Sequence, residues 1–128
     1  MITLATLPNA TEQEVFDQIA NHLLTQKEKC FVSDKNRICQ YHSGNLRCAA
    51  GCLISEEEYE NNTSIGGTNY FEGNQWDWLV EEHGVPSDHK NLILELQEIH
   101  DDVGPEDWKE HLRETAFSWE LDFKFEDK

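Results

Sequence analysis

Three features of the sequence predict one α+β domain, with four or five helices packed on a small antiparallel sheet. Helical periodicities with capping residues recur along the chain, a glycine-containing turn lies near its middle, and the last residues alternate between apolar and charged. The sheet is expected to combine this central hairpin with a C-terminal strand. Because 128 residues suffice for one domain with its own core, residues 1–128 are predicted to form a single unit.

Capping motifs predict where the first helices begin. Thr11 and Glu14 have the spacing of a capping box, which predicts a helix from Glu12 to Lys27. Ser55 and Glu58 repeat that spacing and predict a short second helix. The expected buried stripe of the first helix consists of Val15, Phe16, Ile19, Leu23 and Leu24.

The C-terminal third contains two further helices and the strand. Ser87 is the predicted N-cap of a helix from Asp88 to Asp102, and Gly104-Pro105 ends this helix and begins the next. After Trp119 the period changes from helical to alternating, which predicts a terminal strand paired with the hairpin. Its expected inward-facing residues are Trp119, Leu121, Phe123 and Phe125.

The central hairpin determines how close the cysteines lie. Glycine suits the second position of a two-residue turn, so Ser43-Gly44 is the predicted loop. This register places Tyr41 opposite Leu46 and Cys39 opposite Cys48.

Three interpretations of the cysteines remain open at this point. They are reduced thiols buried in the core, a soft-metal site, or a Cys39–Cys48 disulfide or redox pair. The spacing differs from the paired C-x-x-C pattern of structural zinc sites, so no cofactor is predicted. The metal alternative uses Cys39, Cys48 and Cys52, with His42, His22 or Cys30 as fourth ligand.

No complete catalytic motif occurs, so the sequence leaves enzymatic activity open and favours binding. His100 and Asp101 combine an imidazole with a carboxylate, as in metal-dependent hydrolases, and form the alternative to a binding function. Neighbouring residues on a helix diverge by about 100°, however. Stabilisation of the helix C-terminus by His100 is therefore the favoured role.

The sequence resembles a pattern found in small, largely uncharacterised proteins of phages and prophages. That pattern comprises a C-x-Y segment, a glycine turn, C-A-x-G-C-L-I, an acidic run ending in Tyr, and L-Q-x-x-H-D followed by Trp. The resemblance implies a phage-encoded protein in the host cytoplasm and carries no catalytic residues. The matching residues are Cys39, Tyr41, Gly44, Cys48, Ala49, Gly51, Cys52, Leu53, Ile54, Tyr59, Leu96, Gln97, His100, Asp101 and Trp108.

Net charge is the strongest global property of the chain. It carries 26 acidic against 10 basic residues, and between Arg47 and Lys109 the only basic residue is Lys90 among fifteen acids. Such a protein is repelled by nucleic acids and anionic membranes, and neither a signal peptide nor a membrane-spanning run is recognisable.

The charge predicts binding to a host protein with a basic, nucleic-acid-binding surface, in an inhibitory or anti-defence role. A solvated acidic coat that serves solubility is the alternative. Trp76 is the tryptophan expected to be exposed, if any is. The predicted binding residues are Glu56, Glu57, Glu58, Glu60, Glu81, Glu82 and Trp76.

Overall fold

The computed structural model of the protein describes residues 1–28, 42–43, 46–55, 57–58, 76, 80–81 and 85–125. The helices of more than ten residues in these ranges are α1 (Glu12–Gln26), α2 (Lys90–Asp102) and α3 (Trp108–Ser118). The 3-10 helices are Leu7–Asn9, Ala50–Leu53 and Pro105–Asp107. Strands β1 (His42–Ser43) and β2 (Leu46–Arg47) have two residues each.

The prediction of an α+β fold is wrong, because the described part of the protein is mostly helical. Its only strand pairing joins β1 to β2 over two residue pairs, which is too short to form a sheet layer. Residues 121–125 belong to no helix or strand. The backbone of Asp122 is bound by the Gln13 side chain of α1 instead of by a strand.

The central hairpin exists, in a different register from the predicted one. Ser43 pairs with Leu46 and His42 pairs with Arg47, whereas the predicted register pairs Leu46 with Tyr41. Residues 44 and 45 therefore separate the two strands, instead of Ser43 and Gly44. Cys39 and Tyr41 lie outside the described residues.

Helix α1 begins and ends as local sequence rules require. Its predicted capping box is confirmed, since the Glu14 N–H donates to the Thr11 hydroxyl at 3.1 Å and the Glu14 carboxylate accepts from the Thr11 N–H at 2.9 Å. Lys27 follows the helix in the left-handed conformation, with φ 58°, and its N–H binds the Leu23 carbonyl. The predicted stripe is buried except for Leu24, which is half-buried.

Helix α2 begins later than predicted. Ser87 makes no N-cap; His89 occupies that position with φ 62°, and the helix starts at Lys90. The Nε2 atom of His89 forms a 2.7 Å hydrogen bond with the Ala10 carbonyl, which holds the residue in place. Gly104 then separates α2 from a 3-10 turn that leads into α3, as the Gly-Pro pair predicts.

The core lies where α1, α2, α3 and the 3-10 helix Ala50–Leu53 meet. Burial of this apolar surface is the main source of stability for a fold of this size. Its largest fully buried side chains are Trp76, Trp108, Phe16, Leu7, Ile19, Leu23, Leu53, Ile54, Leu92 and Ile93.

Three glutamines of α1 bind extended backbone segments around this core. Each glutamine binds both backbone groups of one other residue. Its side-chain amide accepts from the backbone N–H of that residue and donates to the carbonyl of the same residue, at distances from 2.7 to 3.0 Å. One amide thus satisfies the two backbone groups that a neighbouring strand would otherwise satisfy. The pairs are Gln18 with Ile2, Gln26 with Arg47, and Gln13 with Asp122.

Within the described ranges, every helix is too short or too polar to cross a membrane.

Candidate functional site

The described cysteines lie at the interior side of the 3-10 helix that follows β2. Cys48 is buried, and its sulfur accepts a hydrogen bond from the Gly51 N–H at 3.3 Å. Burial raises the pKa of the Cys52 thiol to about 12, so this thiol is protonated at neutral pH. A thiol of this kind is a poor nucleophile and a poor metal ligand.

The metal alternative gains no support from the described residues. They contain no group of three or more His, Cys, Asp or Glu side chains placed to hold an ion. Of the proposed ligands, Cys39 lies outside the described part, as does the side chain of His42.

His100 and Asp101 contact each other, although adjacent helical residues usually diverge. The Nδ1 atom of His100 lies 2.8 Å from Asp101 Oδ1, and the Gln97 amide donates to the same oxygen at 2.8 Å. The imidazole is stacked on Trp108, with ring centroids 5.7 Å apart. Asp101 thereby holds the imidazole in one orientation.

This network fixes α2 against the core. His100 is completely buried, and the side-chain oxygen Oε1 of Gln97 accepts from the Ala50 N–H at 2.9 Å, which joins α2 to the 3-10 helix. A substrate would have to displace Trp108 or another core residue to reach the ring. The arrangement is therefore suited to packing, and the hydrolase alternative gains no support from it.

His22 is the second histidine directed toward the interior. Its Nε2 atom is 2.9 Å from the Arg47 carbonyl oxygen, beside the backbone that Gln26 binds. Burial is the main cause that lowers the pKa of His22; the hydrogen bond to the Arg47 carbonyl opposes this, and the charges of His100 and Arg47 lower the pKa further. His22 therefore secures β2 as a neutral ring.

Glu58, one of the predicted binding residues, acts inside the molecule. Its predicted capping box is confirmed, with the Ser55 hydroxyl accepting from the Glu58 N–H at 3.1 Å and the carboxylate accepting from the Ser55 N–H at 3.0 Å. The same carboxylate accepts from the N–H groups of Leu4 and Ala5, each at 3.0 Å. Burial by itself raises the pKa of Glu58, but these hydrogen bonds outweigh it and the pKa lies below its ordinary value.

The other predicted acidic contacts fall into two groups. Glu57 and Glu81 are exposed, in keeping with a surface role. Glu56, Glu60 and Glu82 lie outside the described residues.

Trp76 is not exposed, contrary to the prediction that it would be the accessible tryptophan. Its side chain is completely buried and belongs to the central core cluster. The physical reason is the shortage of large apolar residues in a chain with only 38% hydrophobic residues, where a tryptophan contributes more core volume than any other side chain.

Among the described residues, the exposed aromatic side chain is that of Phe117 on α3, with 87% of its surface accessible. It shares one side of the helix with Glu110 and Glu114, both exposed, since these positions are separated by four and three residues. We call these three residues the α3 outer face. Arg113 lies beside them, but its guanidinium is placed over the Phe123 ring, 5.3 Å from the centroid.

A helical projection of the sequence would have identified Phe117. The buried residues of α3 are Trp108, Leu112, Thr115 and Ala116, and position 117 falls outside their stripe. An aromatic residue on the polar side of an amphipathic helix is the signal that the sequence analysis missed.

Comparison of the chain with protein-family models, with curated proteins and with solved structures finds no match.

Proposed function

We propose that the protein acts by binding, and that the α3 outer face docks on a basic surface of another protein. The exposure of Phe117 on the same side of α3 as Glu110 and Glu114 is the observation that carries this proposal. A large apolar side chain that is almost entirely in water gains free energy when a partner covers it. Aromatic side chains are common among the residues that contribute most to binding at protein interfaces.

The negative charge around α3 indicates what kind of partner would bind. Residues 88–122, which include α2 and α3, contain eleven acidic and three basic residues. This field attracts Lys- and Arg-rich surfaces and repels phosphates. A host protein whose basic surface normally binds nucleic acid is the partner that fits, and the protein would inhibit it by occupying that surface. This is the role expected of a phage-type accessory protein.

The experiment compares three pairs of neutralised acids in capture from a bacterial lysate. Glu110→Gln with Glu114→Gln alters the α3 outer face, and Glu57→Gln with Glu81→Gln alters the exposed acids named from the sequence. Glu28→Gln with Asp88→Asn is the control pair, since both residues are exposed and lie outside the helices. Each pair changes the net charge by the same amount.

A partner retained by wild type and by the control pair, but lost with the α3 pair and with Phe117→Ser, supports the proposal. Binding should also weaken steeply with salt, because the Debye length falls from about 10 Å at 0.1 M to about 3 Å at 1 M. If all three pairs weaken capture equally, only net charge matters, and the acidic residues are a solvated coat. If the Phe117→Ser variant captures the partner as strongly as wild type does, the role of Phe117 as an anchor is contradicted.

A further inference from the structure

The C-terminal segment (residues 121–125) lies on α1 and α3 as a separate peptide would. The Gln13 side chain accepts from the Asp122 N–H at 2.8 Å and donates to the carbonyl of the same residue at 3.0 Å. Asp17, one turn further along α1, pairs with the Lys124 ammonium group at 3.1 Å. These contacts join α1 to a segment that is distant in the sequence, so they do not depend on which copy of the chain supplies the segment.

Aromatic packing adds to this attachment. The Phe123 ring meets the Phe16 ring edge-on, with centroids 6.4 Å apart, and the Arg113 guanidinium is placed over Phe123, 5.3 Å from the centroid. Phe16 is completely buried and Phe123 is half-buried, so the segment covers apolar surface of α1 that would otherwise contact water. A chain that releases its own segment therefore leaves a binding site for the same sequence.

The hinge that leads from α3 to the segment (residues 119–121) is short and strained. Glu120 has φ 57°, in the left-handed region that glycine adopts more readily than a residue with a side chain. The Glu120 N–H binds the Phe117 carbonyl at 3.1 Å, and the Leu121 N–H binds the Ala116 carbonyl at 2.7 Å. These hydrogen bonds oppose opening of the hinge, whereas relief of the left-handed conformation favours it. Short hinges under strain promote the exchange of a terminal element between copies of a protein.

We propose that two copies of the protein exchange their C-terminal segments, so that residues 121–125 of each copy lie on α1 and α3 of the other. The contacts that hold the segment all form again in this dimer, and an opened hinge of three residues spans about 10 Å between the copies. The exchange brings the ends of the two α3 helices together. Phe117, which is exposed and lies within one turn of the hinge, is then at the junction of the two copies. The dimer forms independently of any basic partner and competes with docking on the α3 outer face.

Sedimentation equilibrium of the full chain over a wide range of protein concentration tests the exchange. Wild type should show a monomer–dimer equilibrium. The dimer fraction should rise with salt, because added ions screen the repulsion between two chains that each have a net charge of −16. Docking on a basic partner has the opposite salt dependence, so the two proposals fail separately. A wild-type chain that stays monomeric at every concentration and salt level overturns the exchange.

Substitutions at Glu120 separate backbone strain from charge. Glu120→Gly relieves the strain of the closed hinge in both copies and should lower the association constant about two- to tenfold, since the flexibility of glycine in the open hinge offsets part of the effect. Glu120→Gln removes the same charge and keeps the strain, so it should leave dimerisation unchanged or strengthen it. Equal weakening by the two variants overturns the exchange.

Lys27→Gly is the matched control for the glycine substitution. Lys27 follows α1 in the same left-handed conformation, with φ 58°, and lies outside the hinge. Relief of strain at this helix end should leave the association constant close to that of wild type. Weakening as large as that of Glu120→Gly overturns the role of the hinge.

Glu120→Pro and a distance measurement identify the arrangement of the dimer. Proline holds φ at about −65° and has no N–H to donate, so the closed hinge is lost and this variant should be mainly dimeric. In a dimer refolded from labelled and unlabelled chains, an isotope-filtered NOE between Phe16 of one copy and Phe123 of the other shows exchange. A dimer that lacks this intermolecular contact, or a monomeric Glu120→Pro with the segment released, overturns it. Circular dichroism verifies the helices of each variant.

Discussion

The N-terminal and C-terminal segments of the chain are attached to α1 in the same way and stabilised by different forces. Gln18 binds the backbone of Ile2 through both amide atoms, and Gln13 binds the backbone of Asp122 in the same manner. The N-terminal segment is otherwise secured by the carboxylate of Glu58 and by the buried side chain of Leu7. The C-terminal segment is otherwise secured mainly by apolar packing, since its ion pair between Lys124 and Asp17, at 3.1 Å, is solvent-accessible and contributes little.

The packing of the C-terminal segment centres on Phe123. Its ring meets Phe16 edge-on at 6.4 Å and Phe125 at 5.6 Å, and Arg113 covers it. The same glutamine contact thus attaches one segment that a carboxylate also binds and another that packs through an aromatic ring. The two attachments should therefore respond differently to mutation and to pH.

The largest expected effect comes from Phe123→Ala. Truncating this half-buried ring removes its contacts with Phe16 and should lower the free energy of unfolding by about 2 kcal/mol, less than the 3–5 kcal/mol typical of a fully buried Phe. Denaturant unfolding measures the change. Phe117→Ala is the control, and its exposed ring should cost less than about 0.5 kcal/mol. Equal costs for the two variants would contradict the packing role of Phe123.

The second-largest loss of stability is expected from Glu58→Gln. The amide keeps the shape but removes the charge that strengthens the hydrogen bonds from Leu4 and Ala5, so the free energy of unfolding should fall by about 1.5 kcal/mol. Glu14→Gln is the matched control, because Glu14 has the corresponding place in the capping box of α1. It should cost about 0.5 kcal/mol. A larger loss for Glu14→Gln would refute the long-range role of Glu58.

The hydrogen bonds that the Glu58 carboxylate accepts from the N-terminal segment should also weaken at low pH. Because the pKa of Glu58 is lower in the folded protein than in the unfolded chain, its contribution is fully present above the unfolded value of about 4.3. It disappears as the pH falls through the folded-state pKa. The difference in unfolding free energy between wild type and Glu58→Gln should therefore shrink below about pH 4. A difference that stays constant down to pH 2 would be inconsistent with this assignment.

The smallest effects are those of the glutamines. Gln13→Ala and Gln18→Ala should each cost about 0.5–1 kcal/mol, since water replaces part of the lost hydrogen bonding. Amide hydrogen exchange distinguishes the two variants: exchange should accelerate at Asp122 in the first and at Ile2 in the second. Acceleration at both sites in either variant would show that the two attachments are coupled.

The sequence predicts local features well because they depend on neighbouring residues. Both capping boxes are present. The terminal strand predicted from the alternation after Trp119 is absent, although Leu121, Phe123 and Phe125 are half-buried while Asp122 and Lys124 are exposed. The hydrogen-bonding partner of that segment was not predictable. Alternation specifies which side chains face inward, whereas the partner is a glutamine 109 residues away.

Two further errors have long-range causes. Helix α2 starts at Lys90 because His89 reaches Ala10 across the fold, and no local rule contains this contact. Trp76 lies in the core among residues that are distant in the sequence, and no pattern of neighbouring residues specifies this. Phe117 differs from these two, because its position on the polar side of α3 is visible in the sequence.

Gln18 also donates to the Cys52 carbonyl at 3.0 Å, so one side chain joins the N-terminal segment to a residue whose thiol is half-buried and has its pKa raised to about 12. The reactivity of Cys52 should therefore report the opening of that segment. Iodoacetamide should modify it slowly in the closed protein and faster when the segment is released, and peptide mass spectrometry would measure the accumulated label at this sulfur. The labelling rate would then report how often the N-terminal segment is released, without any added probe.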